Sequence, residues 1–265
     1  MAATPRVDDS RPFRTAVTYY LKGRPPYAPR LIRRVSALVG LTRADAVLDL
    51  GCGPAQLARA FARFAGEVTA MDPEPEMLRA AAEASRGIGN IRFVPGGSDH
   101  VSSLVGPFRL VTMGRSFHWM DRSATLHRLN GLIEPRGAIA LFATHHPDVP
   151  ENAWVERFAA LRRHYRCDEP GRRRGLRHEA LLLASPFSCV ESCSVLERRT
   201  FEATRLVDRA FSSSGTAPQR LGDRAASLQR DIVALAQEIA PNGWLEEVIE
   251  SGALIGRRPE EEDSR

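Results

Sequence analysis

The stretch Val47-Leu48-Asp49-Leu50-Gly51-Cys52-Gly53-Pro54, with Asp72 closing the next apolar run, decides how this chain folds. Val47, Leu48 and Leu50 read as a buried strand. Gly51 and Gly53 make a turn where a ligand can approach the backbone with no Cβ in the way. Pro54 suits the first position of a helix, where a missing N–H costs nothing. Leu57, Ala58, Phe61, Phe64 and Ala65 then recur with helical spacing. Glu67 to Met71 is a second short strand that ends on Asp72. Strand, glycine turn, helix, strand, acid: this order predicts the nucleotide-binding half of a doubly wound α/β fold, with the ligand at the carboxyl ends of the strands.

The kind of nucleotide follows from what is missing. A dinucleotide fingerprint needs a third glycine three residues after the second, to seat a pyrophosphate on the helix N-terminus. That position is Gln56, and nothing nearby supplies a positive charge for phosphate. An acid, Asp49, opens the turn instead, where it would suit an ammonium group. Asp72 follows Gly51 by 21 positions, close to the spacing of about 20 for an acid that holds ribose hydroxyls. A ribose without a pyrophosphate fits S-adenosylmethionine better than NAD.

Five segments in order carry a family resemblance: VLDLGCGPAQLA (47–58), VTAMDPEPEML (68–78), FVPGGSD (93–99), FRLVTMGRSFHWMD (108–121) and LIEPRGAIALF (132–142). Through them the chain resembles the class I S-adenosylmethionine-dependent methyltransferases, in particular the type 11 small-molecule branch that includes trans-aconitate-methyltransferase-like proteins. The resemblance implies a Rossmann-like doubly wound sheet of seven strands in the order 3-2-1-4-5-7-6, the last strand antiparallel, with a helical lid. It implies an N-terminal lid segment at 1–28, a cofactor-binding core at 29–145, a substrate lid with the last two strands at 146–256, and a disordered tail at 257–265.

The expected cofactor site gathers Asp49, Gly51, Cys52 and Gly53 from the glycine turn, and Asp72, Pro73 and Met77 after the second strand. Gly97, Ser98 and Asp99 follow the third strand, and Gly114, Arg115 and Ser116 the fourth. In the resembled family an N-terminal Y…RPxY segment folds over the cofactor, and Tyr20 and Arg24 stand where it would be. Family members often carry Asp at the position of Gly97 to hold the adenine amino group. Here adenine recognition would fall to backbone groups around Ser98 or to Asp99.

Methyl transfer from a sulfonium is an in-line displacement of an already activated group. Positioning can supply about 7–11 kcal/mol, and a general base about 10²–10⁴-fold. A base is therefore optional, depending on the acceptor. His118 is the first candidate, because it follows the fourth strand and histidine titrates near neutrality. The alternative is a packing unit with Trp119. His145 and His146 follow the fifth strand to the same edge. Tyr19, Phe117, His118, Trp119, His146 and Trp154 are candidates for the acceptor pocket.

Composition narrows the remainder. The chain is 43% hydrophobic and 26% charged, ordinary for a soluble globular protein. No run approaches the roughly 18 apolar residues of a membrane span, and the N-terminus has acids and prolines where a signal peptide needs an apolar core. The four cysteines form no CxxC pair, so no metal is expected and core thiols in a reducing cytoplasm are. The net charge of +5 is almost wholly arginine, since Lys22 is the one lysine among 37 basic side chains. Arg172, Arg173 and Arg174 could steer an acidic partner or form a solvated loop. The leading expectation is a small-molecule acceptor with no nucleic-acid partner. An RNA or protein methyltransferase, or a cofactor-binding relative that transfers no methyl group, are the alternatives; a NAD enzyme is more distant, given Gln56.

Overall fold

The computed structural model describes residues 17–167 and 177–260. Residues 1–12, which read as a disordered lead, the arginine patch at 172–174 and residues 261–265 of the tail lie outside the described residues. The elements in chain order are α1 (Val17–Gly23), α2 (Pro29–Leu38), β1 (Ala46–Leu50), α3 (Gln56–Phe61), β2 (Glu67–Asp72), α4 (Pro75–Ala84), β3 (Ile91–Pro95), β4 (Phe108–Gly114), α5 (Arg122–Asn130), β5 (Ile133–His145), α6 (Trp154–Tyr165), α7 (His178–Leu183), β6 (Cys189–Glu202), α8 (Arg205–Phe211), α9 (Pro218–Leu221), α10 (Arg224–Ile239) and β7 (Trp244–Arg257). They divide into two compact units. A sheet unit comprises Pro26–Ala153, Pro170–Thr200 and Glu246–Arg265, and a helical unit comprises Met1–Pro25, Trp154–Glu169 and Phe201–Leu245.

The strands form one sheet in the order β3-β2-β1-β4-β5-β7-β6, as expected. Strands β1 to β5 are parallel, and β7 runs antiparallel to β5 from Ala138↔Arg257 to His145↔Glu250. A mostly parallel sheet must be covered on both faces. Alternation along β1 does this: Val47 joins a cluster with Leu31, Val35, Ala58 and Phe61 from α2 and α3. Leu48 and Leu50 join Leu126, Leu129 and Leu182 from α5 and α7.

Asp49 lies between those leucines and is 1% exposed. Its Oδ2 accepts the backbone N–H of Ala58 at 2.9 Å, and its Oδ1 accepts the Thr112 hydroxyl at 3.0 Å. One carboxylate thus joins β1, the first turn of α3 and β4. This arrangement moves the helix start. Sequence spacing begins the helix at Pro54, but Ala55 is left-handed (φ 60) and the helix begins at Gln56. Ala58 is then the third helical residue, whose N–H a capping side chain normally satisfies. Asp49 supplies that cap from the neighbouring strand. Burial pushes the Asp49 carboxyl up to about 7, against the opposing bonds from Thr112 and Ala58.

Three further elements differ from their sequence expectations. Glu134-Pro135-Arg136-Gly137 reads as a turn in the sequence, yet it lies inside the long strand β5, where the pairing with β4 skips from Phe108↔Ile133 to Leu110↔Ala138. Arg258 secures this excursion by donating to the Glu134 carbonyl at 2.7 Å. Trp154, Phe158 and Leu161 recur with helical spacing that predicts a helix from about Glu151 to Tyr165, but the helix starts at Trp154, after a short 3-10 turn at Pro150–Asn152. There the Asn152 amide donates to the Pro147 and Val248 carbonyls and accepts from the Val248 N–H. The sequence also reads as one helix from Leu221 to Ile239, but Leu221 ends α9 and α10 begins at Arg224, the break falling at Gly222, whose φ is +55.

The helical unit has its own core, in which Trp154, Phe158, Phe201, Leu206, Phe211 and Ile232 are buried. The Arg209 guanidinium lies 3.9 Å over the Phe201 ring, and Tyr19 meets Phe211 edge-on at 5.1 Å. Helix α1 belongs to this unit. It lies so close to α8 that a Cβ on Gly23 would sit 2.3 Å from the Asp208 carbonyl oxygen.

Two outcomes follow from this packing. Gly23→Val forces the α1 and α8 backbones apart at a cost of about 1–3 kcal/mol, so calorimetry should show a lower unfolding temperature; an unchanged one refutes the close approach. For Asp49 the sign follows from a folded value of about 7 against 3.8 ordinarily. Its contribution to stability is fully present below about pH 4 and is lost as pH rises through 7. Between pH 5 and pH 8 the chain should lose roughly 2–3 kcal/mol that Asp49→Asn does not lose. Denaturant unfolding at the two pH values checks this, and a difference independent of pH contradicts it.

Candidate active site

The carboxyl ends of β1 and β4 meet through one glycine. Gly51 has φ +68, and a Cβ there would lie 2.6 Å from Ser116 Cβ and 2.9 Å from its Oγ. The Ser116 hydroxyl donates to the Leu50 carbonyl at 2.9 Å. The N–H groups of Gly51 and Cys52 both donate to the Met71 carbonyl, at 2.8 and 3.0 Å, which ties the same turn to β2. Gly53, at φ +51, opens onto space: nothing lies within 4 Å of where its Cβ would be.

Asp72 stands on the rim of that turn and is 7% exposed. Its Oδ2 accepts the Gly53 N–H at 2.8 Å and its Oδ1 the Glu74 N–H at 2.9 Å. Burial raises its carboxyl above the ordinary range, against these two N–H bonds. A carboxylate has about four acceptor positions, so two backbone bonds fix its orientation and leave capacity for hydroxyls. Met77 is buried nearby in sequence, while Pro73 is exposed. Cys52 is 8% exposed, and burial pushes its thiol up, with the charges of Asp49 and Asp72 adding to the effect.

After β3, Gly96 has φ +147, and a Cβ there would lie 2.5 Å from Met71 Cε. Asp99 and His100 form an exposed pair at 2.9 Å, and a Cβ on Gly97 would lie 2.8 Å from the Asp99 carboxylate. After β4, a Cβ on Gly114 would lie 2.8 Å from Leu57 and 2.9 Å from the Tyr27 hydroxyl. Arg115 follows in the left-handed region (φ 56). Its N–H donates to the Phe142 carbonyl at 3.0 Å, and its guanidinium lies 4.5 Å over the Tyr27 ring.

The residues expected to face an acceptor are placed variously. Phe117 is 2% exposed and packs against His178, with ring centroids 5.2 Å apart. His118 and Trp119 are half-buried, their rings 5.2 Å apart. His145 Nε2 lies 2.9 Å from Glu250, and His146 Nε2 lies 2.9 Å from Glu247. Tyr19, Tyr20, Arg24 and Trp154 belong to the helical unit. There Arg24 donates to the Ser212 carbonyl at 3.2 Å and lies 5.6 Å over Tyr20.

Sequence reasoning missed Glu247 and Glu250, though a signal was present. Along β7 the residues Leu245, Glu247, Ile249, Ser251, Ala253 and Ile255 are all buried. An acid at the core-facing parity of a strand needs a partner. No group of three or more His, Cys, Asp or Glu among the described residues could hold a metal ion. No helix of the described residues is long and apolar enough to cross a membrane.

A family model described as a methyltransferase domain matches residues 47–137, from the first residue of the glycine motif through the β5 excursion. An uncharacterized methyltransferase of Mycobacterium tuberculosis is 26% identical over 246 residues, covering 91% of this chain and 93% of that protein. Trans-aconitate 2-methyltransferase of the same species is 58% identical over 52 residues, 19% of each chain. Among solved structures, a methyltransferase from Thiobacillus denitrificans in complex with S-adenosyl-L-homocysteine superimposes with a TM-score of 0.52. It covers 97% of this chain and 100% of that one at 13% identity. The sheet order, the glycine turn and the matched domain agree on an S-adenosylmethionine-dependent methyltransferase.

Proposed function

We propose that this enzyme methylates a small-molecule acceptor, with the cofactor held over Gly53 and its ribose on Asp72. The observation that carries the reading is the open space at Gly53 beside a carboxylate already oriented by two backbone N–H groups. Bound S-adenosylmethionine supplies a methyl group already activated on sulfonium sulfur. The chain's own part is to orient and to exclude water. Gly51 and Ser116 hold the β1 and β4 turns together, and Arg115 is pinned to β5 through Phe142. Backbone groups around Gly97 and Ser98, with Asp99, would receive the base.

The local similarity to trans-aconitate 2-methyltransferase supports a small acceptor over RNA or protein. Four free cysteines fit a reducing cytoplasm as the working compartment.

Hydrogen bonds to a charged group contribute about 1.5–3 kcal/mol each. Asp72→Ala should therefore weaken S-adenosylmethionine binding about 10–100-fold or more in titration calorimetry. Because Asp72 also supports the turn, Gly53→Ala is the companion variant. Gly53 has φ +51, so the change costs about 1–2 kcal/mol of backbone strain and puts a methyl group in the open space. Both variants should lose affinity while retaining cooperative melting; undiminished affinity in both overturns the assignment.

A further inference from the structure

One flank of the sheet unit carries charge of a single sign. Helices α2 and α3 lie side by side and bury Leu31, Val35, Ala58 and Phe61 in one cluster with the sheet. Outward they expose Arg30, Arg33 and Arg34 on α2 and Arg63 in the turn after α3. Arg43 joins them, because its guanidinium donates to the Ala62 and Ala65 carbonyls at 2.7 and 2.9 Å, on either side of Arg63. Between Ala28 and Gly66 the acids are Asp45 and Asp49. Asp45 accepts from the Thr42 N–H and hydroxyl, and Asp49 is buried. We infer that this arginine face binds the phosphate backbone of a nucleic-acid duplex.

Exposed arginines elsewhere are matched by acids: Arg79 by Glu76, Arg92 by Glu67, Arg157 by Glu238 and Arg163 by Glu156. Among the described residues Arg30, Arg33 and Arg63 have no acidic partner, and Arg34 meets a carbonyl, that of Ser194 at 3.5 Å. The arrangement works against the helix that carries it. Arg30 lies in the first turn of α2, which holds no acid, where the helix dipole disfavours a cation. It also stands three and four residues from Arg33 and Arg34, spacings at which like charges repel. A polyanion on this face reverses both effects.

The chemistry of the face selects among anionic partners. A protein interface has an apolar core, and a membrane-binding helix turns an apolar face to the lipid. The apolar residues of α2 point inward instead, with Leu38 exposed at its end. Guanidinium forks match phosphate oxygens in pairs. A ten-residue helix is about 15 Å long, a length over which one strand of a duplex carries about four phosphates. Phe61 is buried and Phe64 half-buried, so unpaired bases find no exposed platform on α3 for stacking. A duplex held through its backbone is bound without regard to sequence.

This departs from the sequence expectation of no nucleic-acid partner, which weighed methyl acceptors and not this face. Arg43 and Arg63 lie at the end of α3 opposite the glycine turn. The duplex is therefore a partner and not the acceptor, and the inference stands apart from the methyl-transfer reading.

Fluorescence anisotropy of the full chain with short labelled duplexes of random sequence, one of DNA and one of RNA, tests it. Four phosphate contacts predict a roughly 100-fold loss of affinity between about 50 and 200 mM salt. Arg30→Gln with Arg33→Gln should weaken binding and roughly halve the slope of log affinity against log salt. Arg79→Gln with Arg86→Gln removes the same charge from acid-matched positions and should leave affinity within about twofold. Saturable binding of either duplex with this pattern supports the inference, and the tighter duplex identifies the partner. No saturable binding at low salt overturns it. So does an equal loss in both double variants, or tighter binding to phosphatidylserine vesicles or polyglutamate. Melting temperature and calorimetric affinity for S-adenosylmethionine should match the unaltered chain in every variant. A chain that binds duplex but no S-adenosylmethionine would defeat the methyltransferase site and not this face.

Discussion

The carboxylate of Asp49 is the constraint on which the sheet unit depends. It is buried between two leucines that face the opposite layer, and its oxygens reach Ala58 on one side and Thr112 on the other. A buried, unpaired acid would cost several kcal/mol, so the residue is tolerable only because the helix start and the β4 hydroxyl meet it. The same bonds hold the glycine turn at its lower end. With α3 capped from β1, the chain between Leu50 and Gln56 must make its descent in a few residues. It does so with three left-handed conformations, at Gly51, Gly53 and Ala55. The turn's shape is thus imposed from below by Asp49 and from the side by Asp72.

Two acids 23 positions apart therefore divide the labour in a way their spacing does not reveal. Both read from the sequence as ligand groups. In the structure Asp49 is spent on the protein's own donors, while Asp72 uses one lone pair on each oxygen for the backbone. The difference is a matter of depth. Asp49 lies within β1, where both faces are covered, and Asp72 ends β2, at the edge where the layers part.

This contrast marks how much was legible. The glycine turn and the two strands that flank its helix rest on local patterns of apolar spacing and turn chemistry, whereas the full sheet order came from the family resemblance; Asp121, which reads as an N-cap, accepts the Ala124 N–H at 3.2 Å. The left-handed Ala55 did not follow from such patterns, because its conformation answers to the Asp49 cap on Ala58, nine residues apart in sequence. Nor did the late start of α6, where Asn152 bonds to a strand 96 positions away, or the burial of Phe117 against His178. Each depends on a partner that sequence spacing cannot supply. The pairing of His146 with Glu247 is intermediate. The parity of β7 shows that Glu247 points inward, but the contact with His146 lies beyond the last β5–β7 pair, His145↔Glu250, and no strand pattern reveals it.

Chemistry that relies on alignment leaves its clearest marks in the backbone. An in-line displacement needs the reacting groups held in place, and that demand falls on conformations more than on reactive side chains. Gly51 and Gly114 are both positions where any side chain would collide, at Gly51 with Ser116 and at Gly114 with Leu57 and Tyr27. Arg115 is the sharper case, since a non-glycine residue in the left-handed region costs about 1–2 kcal/mol. Nothing in the strand requires that conformation; glycine would adopt it without strain. What arginine adds is a guanidinium laid over Tyr27 and a backbone N–H fixed to β5. Strain retained at the end of β4, together with the contacts that outweigh it, is what a site selected for position rather than for stability should show.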